Sequence, residues 1–228
     1  MKKRELVVIL QARCSSRRLP KKVLKKISGI PLVILCARRL SNRGAKVIVA
    51  TSKHKSDDNL VKLLAKNKID YYRGSLQNVL SRYQFLAKRF KKDDYIVRAT
   101  ADNAFPDGEI VEIIQAHVKK IKSDYYGINH KTHNLPKGIG VEIFTVKKIL
   151  SLNKNLRKED KEHVTLSIYK NSKKYLNQRL INKIIPKKDM SNISVSIDET
   201  KEFKLVKTIF SNFKNPIQVS YKKLLKSF

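Results

Sequence analysis

Residues 5–22 read ELVVILQARCSSRRLPKK, and the fold follows from how this stretch divides. Its first part, Glu5–Leu10, is a short apolar run rich in β-branched side chains. Such a run suits a strand covered on both faces, as in a parallel sheet. Its second part, Gln11–Lys22, reverses the chemistry: five cations, the two hydroxyls of Ser15 and Ser16, and no acid. On a turn leaving a buried strand, these groups make a concave anion site. Backbone N–H groups and serine hydroxyls bond phosphate oxygens. Arginine forks grip them in pairs and lysine acts as a point charge. The loop lacks the glycines of both the Walker A and the dinucleotide fingerprints. By charge alone it is also a solvated basic loop. Its place beyond a strand, where α/β sheets bind ligands, favours the anion site.

Working outward, Lys46–Thr51 repeats the buried-strand pattern, and Asp70–Tyr72 and Tyr95–Ala99 supply two more strands. Helical stretches lie between them. One spans 31–41, with Pro31 in its first turn. A second is capped by Ser56 and runs to about Asn67, with Leu60, Leu63 and Leu64 on one face. A third is capped by Ser75. Its Leu76, Val79, Leu80, Tyr83, Leu86, Ala87 and Phe90 recur at helical spacing. The polar loop Thr100–Asp107 leads into a fourth, with Ile110, Ile113, Ile114 and Val118. Strict alternation to about residue 122 predicts βαβ units, a mostly parallel sheet and right-handed crossovers. Beyond it, Asp124–Ile128, Gly138–Phe144, Arg179–Ile185 and Ile193–Ile197 read as strands. A helix follows the polar connection Leu156–Asp160 and runs through Tyr169. Further helices are expected at Glu199–Phe210 and Tyr221–Phe228. No Gly/Ser/Pro-rich linker separates the halves 1–122 and 123–228, so the expectation is one α/β domain, Rossmann-like, with a C-terminal α+β elaboration.

The chain has 228 residues, with 51 Lys+Arg against 19 Asp+Glu, a formal net charge of +32. Spread over roughly 10,600 Å² of folded surface, this is about one excess charge per 330 Å². The lysine pairs are scattered, from Lys25-Lys26 through Lys91-Lys92 and Lys173-Lys174 to Lys222-Lys223. They lack the aromatic interleaving of a nucleic-acid face, so a solvated surface is the plainer reading and no nucleic-acid partner is expected. No apolar run reaches the roughly 18–20 residues of a membrane span. The basic Met1-Lys2-Lys3-Arg4 precedes too short an apolar run for a signal peptide. Cys14 and Cys36 make neither a disulfide framework nor a metal cluster. They read as reduced thiols of a cytoplasmic protein.

Gln11–Leu24, QARCSSRRLPKKVL, resembles the opening loop of the spore-coat polysaccharide F-type cytidylyltransferases. It also resembles their relatives, the 3-deoxy-manno-octulosonate and N-acylneuraminate cytidylyltransferases. The pattern there is roughly A-R-x-G-S-x-R-L-P-x-K. Arg13, Ser16, Arg18, Leu19, Pro20 and Lys22 match it, and Ser15 replaces the usual glycine. The likeness continues in order. Val49-Ala50-Thr51-Ser52 with Asp57-Asp58 comes next, then Arg73-Gly74-Ser75 with Val79-Leu80-Ser81-Arg82-Tyr83. Arg98-Ala99-Thr100-Ala101-Asp102-Asn103 and Pro136–Phe144 follow. Glu162-His163-Val164-Thr165 and Ser196-Ile197-Asp198-Glu199-Thr200 close the series. Ala104 departs from a usual proline, and Gly140 stands where many relatives carry aspartate.

The resemblance implies a nucleotide-diphospho-sugar transferase-like fold of GT-A type, CTP as donor and Mg²⁺ as cofactor. It implies transfer of CMP to an acidic sugar or similar acceptor with release of pyrophosphate, in surface-glycan biosynthesis. The half 1–122 then binds nucleotide, and 123–228 binds acceptor and is the natural place for a homodimer contact. Arg18, Lys22 and Asp102 are the catalytic candidates, because attack on a triphosphate needs charge neutralisation and in-line positioning. Gln11, Ala12, Arg13, Ser15, Ser16, Thr51, Ser52, Arg73 and Ser75 are the nucleotide-binding candidates. Asp102 and Asp198, isolated acids just past apolar runs, are candidate magnesium ligands. Each also reads as a turn or cap residue. Arg98, Pro136, Gly138, Glu142 and His163 are candidates for the acceptor side, with structural pairing the competing reading for Arg98 and Glu142. His130 and His133 lack a third metal ligand, so acceptor recognition or mere exposure is expected of them. Cys14 sits among cations expected to lower its pKa but has no paired base. The rival readings are a transferase using another nucleotide, a glycosyltransferase consuming an activated sugar and, more remotely, a basic nucleic-acid-binding module.

Overall fold

A computed structural model describes residues 6–152, 156–170 and 179–228. Glu5, the Met1–Arg4 run and the Lys173-Lys174 pair lie outside them. A six-stranded sheet in the order β5-β4-β1-β6-β8-β7 organises the chain. Its strands are β1 (Leu6–Gln11), β4 (Lys46–Ser52), β5 (Tyr71–Gly74), β6 (Tyr95–Thr100), β7 (Tyr125–Gly127) and β8 (Glu142–Thr145). A two-stranded ribbon, β2 (Lys26–Ile27) with β3 (Ile30–Pro31), stands apart. The first four strands of the sheet are parallel, while β8 runs antiparallel to both β6 and β7. The sheet therefore takes strands from both sides of residue 122.

The continuous apolar run of β1 is explained by its central position. Side chains alternate between the faces of a strand. Val8 and Leu10 join the core on one face, and Val7 and Ile9 the core on the other. The first face is covered by α1 (Leu32–Leu40), α2 (Asp58–Lys66), α4 (Gly108–Lys120), α8 (Thr200–Ser211) and α9 (Tyr221–Leu225). The second is covered by α3 (Val79–Ala87), α5 (Val146–Leu150) and α7 (Leu166–Tyr169), with α6 (Lys158–His163) beside α3. Among the described residues no helix is long and apolar enough to cross a membrane.

Register fixes where the site can be. Gln11 pairs with Ala50 on one side and Thr100 on the other, so β1, β4 and β6 end level. The chain leaves β1 for β4 and β5 on one side and returns as β6 on the other. The switch point thus lies between β1 and β6, flanked by the loops Ala12–Lys21 and Ala101–Asp107. That crevice is where ligands bind on such sheets.

Several expected elements differ. The cap before α2 comes from the His54 ring, which accepts from Ser56 N at 3.2 Å, with Ser56 inside a single 3-10 turn. Helix α3 starts at Val79, not Leu76, because Asn78 caps it by accepting from Ser81 N at 3.0 Å. Ser75 instead accepts from Asn78 N in the preceding turn. The helix expected through Tyr169 is broken at Val164, whose φ of 54° is left-handed. The strand expected from Gly138 shrinks to Glu142–Thr145. Gly138 has φ +105°, and a Cβ there would fall 2.5 Å from Ser196 N. Arg179–Ile185 holds a 3-10 turn, Asn182–Ile184.

Ile193–Ile197 is not a sheet strand. It crosses the carboxyl end of the sheet as a strap, making one bridge to Lys137 and one to Asn103. Its alternating apolar residues, Val195 and Ile197, are buried as a strand's would be, which explains the strand-like pattern. Helix α8 follows, capped by Glu199 in a reciprocal box with Glu202, so Asp198 does not serve as its cap.

Candidate functional site

Four segments meet at the switch point. Lys22 opens a 3-10 turn, Lys22–Leu24, after Lys21 in a left-handed conformation with φ 55°. The turn is tied back by Lys21 N donating to Cys14 O at 3.1 Å. This brings the Lys22 side chain inward, where it is 11% exposed. Its ammonium donates to Asp102 Oδ2 at 2.9 Å, Asp198 Oδ1 at 3.1 Å and Ile197 O at 2.7 Å. Asp102 sits in the turn after β6, and Asp198 ends the strap. The strap is held to that turn by Ile197 N donating to Asp102 O at 2.9 Å. The Cys36 thiol on α1 supports the same turn from below, 3.4 Å from Asn103 O and 3.7 Å from Ala101 O.

Two other loop cations, Arg13 and Arg18, are paired as well. Arg18 lies 3.2 Å from Asp198 and 3.8 Å from Glu199, and is 61% exposed. Arg13 bonds Glu162 on α6 at 2.8 Å. Ser15 and Ser16 are partly exposed, and Ala12 N is tied to Ala50 O at 3.2 Å. Catalytic candidates Arg18, Lys22 and Asp102 and the acid Asp198 therefore share one cluster.

The nucleotide-side candidates divide. Thr51 and Ser52 are fully buried, and their hydroxyls bond the Asp57 carboxylate. Asp57 also accepts from Ser52 N at 3.2 Å and from Cys14 N at 2.7 Å. It heads α2, yet its side chain turns away from that helix to join β4 to the basic loop. Asp57 belongs to the second of the ordered motifs, and an acid shortly after a Thr-Ser strand end is the signal that finds it. Arg73 is fixed by Ser52 O at 2.9 Å and Asp58 at 2.6 Å. Ser75 is exposed.

A second polar array lies at β6, β8 and α6. Arg98 bonds Glu142 at 2.5 Å and reaches Gln11 Oε1 at 3.4 Å. Glu142 also accepts from Tyr125 at 2.7 Å and from Thr165 at 2.6 Å. Burial first, then Glu142, pushes the Tyr125 phenol well above its ordinary range, so it stays a donor. Tyr125 and Thr165 were not foreseen as members of this array. His163 is exposed at the end of α6. Pro136 and Gly138 are buried on either side of Lys137, which bridges to the strap. Gly140 has a structural reason: a Cβ there would lie 2.4 Å from Ile128 O, so an aspartate requires that backbone to move.

Two expectations change. Cys14 is pushed up to about 12 by burial and by Asp57, which outweigh the cation Lys21. His133 is buried and bonded to Tyr126 and Asn129 O, which makes it structural. Among the described residues no group of three or more His, Cys, Asp or Glu converges. The donor set at Asp102 and Asp198 nevertheless suits a hard divalent cation. Their carboxylate oxygens converge on one point, Lys22 Nζ, and magnesium uses one or two carboxylates with phosphate oxygens and water.

A family model described as cytidylyltransferase matches residues 7–224. The chain is 32% identical over 212 residues to the uncharacterized protein MJ1063 of Methanocaldococcus jannaschii, covering 92% of this chain and 84% of that one. It is 32% identical over 173 residues to the spore coat polysaccharide biosynthesis protein SpsF of Bacillus subtilis, covering 72% and 70%. The solved cytidylyltransferase from Leptospira borgpetersenii serovar Hardjo-bovis superposes with a TM-score of 0.86 at 23% identity, over 99% of this chain and 94% of that one. The match spans β1 to α9, so every segment of the clusters described above falls within it.

Proposed function

The chain belongs to the cytidylyltransferase family and is a nucleotidyltransferase, and from that premise we propose that it transfers CMP from CTP to a carboxylated sugar, releasing pyrophosphate. The observation that carries this reading is the Lys22 cluster at the switch point. A triphosphate carries about four negative charges, which its site must neutralise around the α-phosphate. Arg13, Arg18 and Lys22 supply cations from one loop. The acceptor hydroxyl forms the new bond to the α-phosphorus, and its proton goes to solvent. The bond from that phosphorus to the bridging oxygen breaks, and pyrophosphate leaves with the electron pair. Asp102 and Asp198 are the residues that would hold magnesium, which when bound supplies charge neutralisation and acidifies the attacking hydroxyl.

The Arg98–Glu142 array suits the acceptor. A sugar hydroxyl can bond Glu142, and a sugar carboxylate can share Arg98, whose side chain keeps 16% exposure. Surface polysaccharide assembly is the setting that the spore-coat relative suggests. Arg73, anchored to β4, and Ser15 and Ser16 on the loop remain the nucleotide contacts on this reading. Thr51 and Ser52 act through Asp57.

Pyrophosphate release tests the reading with CTP, ATP, GTP and UTP against a panel of acidic sugars. The expected result is release with CTP and an acidic sugar, falling at least 100-fold in Asp102→Asn, Asp198→Asn and Lys22→Ala while each stays folded. Release with another nucleotide and not CTP defeats the donor assignment. Unchanged turnover in all three variants defeats the site.

A further inference from the structure

The cation with the fewest free donors in the cluster is the one a phosphate would need. A lysine ammonium has three N–H donors. In Lys22 all three have oxygen partners, at 2.7, 2.9 and 3.1 Å. The side chain is nearly buried, so solvent offers little replacement. Lys22 thus reaches a phosphate only by releasing at least one of these oxygens. Asp102 and Asp198 are in turn neutralised by this ammonium, with Arg18 adding a second cation at Asp198.

We propose that Lys22 is an internal stand-in for the divalent cation. Without nucleotide its ammonium occupies the space between Asp102 and Asp198, and metal binds tightly only when a triphosphate takes the lysine in exchange. The inference rests on Asp102 and Asp198 being the metal ligands, as read above. Three physical facts carry it. Magnesium binds carboxylate oxygens at about 2.0–2.1 Å, so ion and ammonium cannot share the space between these acids. Expelling a nearly buried ammonium with nothing to receive it leaves an uncompensated charge, which opposes metal entry. A triphosphate removes that obstacle, because phosphate oxygens accept strong charge-assisted bonds from lysine. Nucleotide and metal are therefore positively coupled, and coupling between two ligands is reciprocal.

The test measures Mn²⁺ binding by the electron spin resonance of the free ion. Wild type, Lys22→Met and Lys22→Met/Asp102→Asn are compared without nucleotide, and wild type and Asp102→Asn with CTP. Wild type alone is expected to bind Mn²⁺ weakly. Lys22→Met should bind it at least tenfold tighter, and the double variant should lose that gain. Lys22→Gln repeats the comparison, and a Mn²⁺-dependent rise in Tm, large in both Lys22 variants and small in wild type, is the second readout. If Lys22→Met and Lys22→Gln bind no tighter than wild type while CTP still recruits Mn²⁺ through Asp102, the stand-in is wrong and the metal ligands stand. If no form holds Mn²⁺ through Asp102 even with CTP, the ligand assignment itself fails and the stand-in with it. Variants that stay unfolded at every Mn²⁺ concentration also overturn it, since a stand-in is replaceable by what it stands for.

Discussion

Asp57 shows how one buried carboxylate can tie two segments of a site together. Its oxygens accept from Cys14 N, Thr51, Ser52 N and Ser52 Oγ. The basic loop and the end of β4 are thereby held to a single group. Hydrogen bonds to a charged group contribute about 1.5–3 kcal/mol each, and an orphaned buried donor costs a similar amount. Asp57→Asn leaves a neutral amide with one acceptor oxygen and two surplus N–H donors. Urea titration should show a loss of about 2–4 kcal/mol. Calorimetry should show weaker CTP binding even in variant protein that is fully folded. Little of this could be read in advance. Arg18, Lys22 and Asp102 stand out as charges beside strand ends, and the structure does bring them together with Asp198. The tie between Asp57 and Cys14 N crosses 43 positions and leaves no local pattern. The same holds for Tyr125 and Thr165, which meet Glu142 through folding alone.

At the scale of elements, the parallel half was legible because each strand is a buried apolar run between helices of clear period. The second half was less so because the strap has the burial of a strand without a sheet partner. The C-terminal elements are attached through Arg39 on α1, which is fully buried. It donates to Pro216 O and Val219 O, each at 2.7 Å, and to Phe105 O at 2.8 Å. Asp107 lies 3.9 Å away and accepts from Tyr221 N at 2.8 Å. One guanidinium thus joins α1, the loop after Asp102 and the approach to α9. Arg39→Met keeps the apolar stem but strands three carbonyls and one carboxylate. Breaking a buried pair in this way costs about 3–5 kcal/mol. Chemical unfolding should report that loss, and limited proteolysis should cut first between 214 and 220.

Over the whole molecule, the charge of +32 says less than its size suggests. Its informative part is three cations of one loop, Arg13, Arg18 and Lys22, each held by a carboxylate. Burial has a clearer global consequence for pH. It raises Cys14, Tyr83 and Tyr126 to about 12, and also raises Cys36, Tyr125 and Tyr221. The ordinary values are 9.0 for the thiols and 10.0 for the phenols. The unfolded chain therefore releases these protons first, and the native state holds more of them. Stability is fully present below about pH 9 and falls as pH rises toward 12, because the slope follows the difference in bound protons. Thermal melts from pH 8 to pH 11 should show Tm declining steadily above pH 9. Cys14 should meanwhile resist alkylation at pH 8 until the chain unfolds.

The strap also sets an order in time. Lys22 meets Asp102 across 80 positions and Asp198 across 176. Contacts of such separation incur the largest loop-closure entropy, so they form late. The cluster cannot be complete while 193–198 is still unfolded. A chain emerging during synthesis therefore becomes competent only when the strap is laid across the sheet.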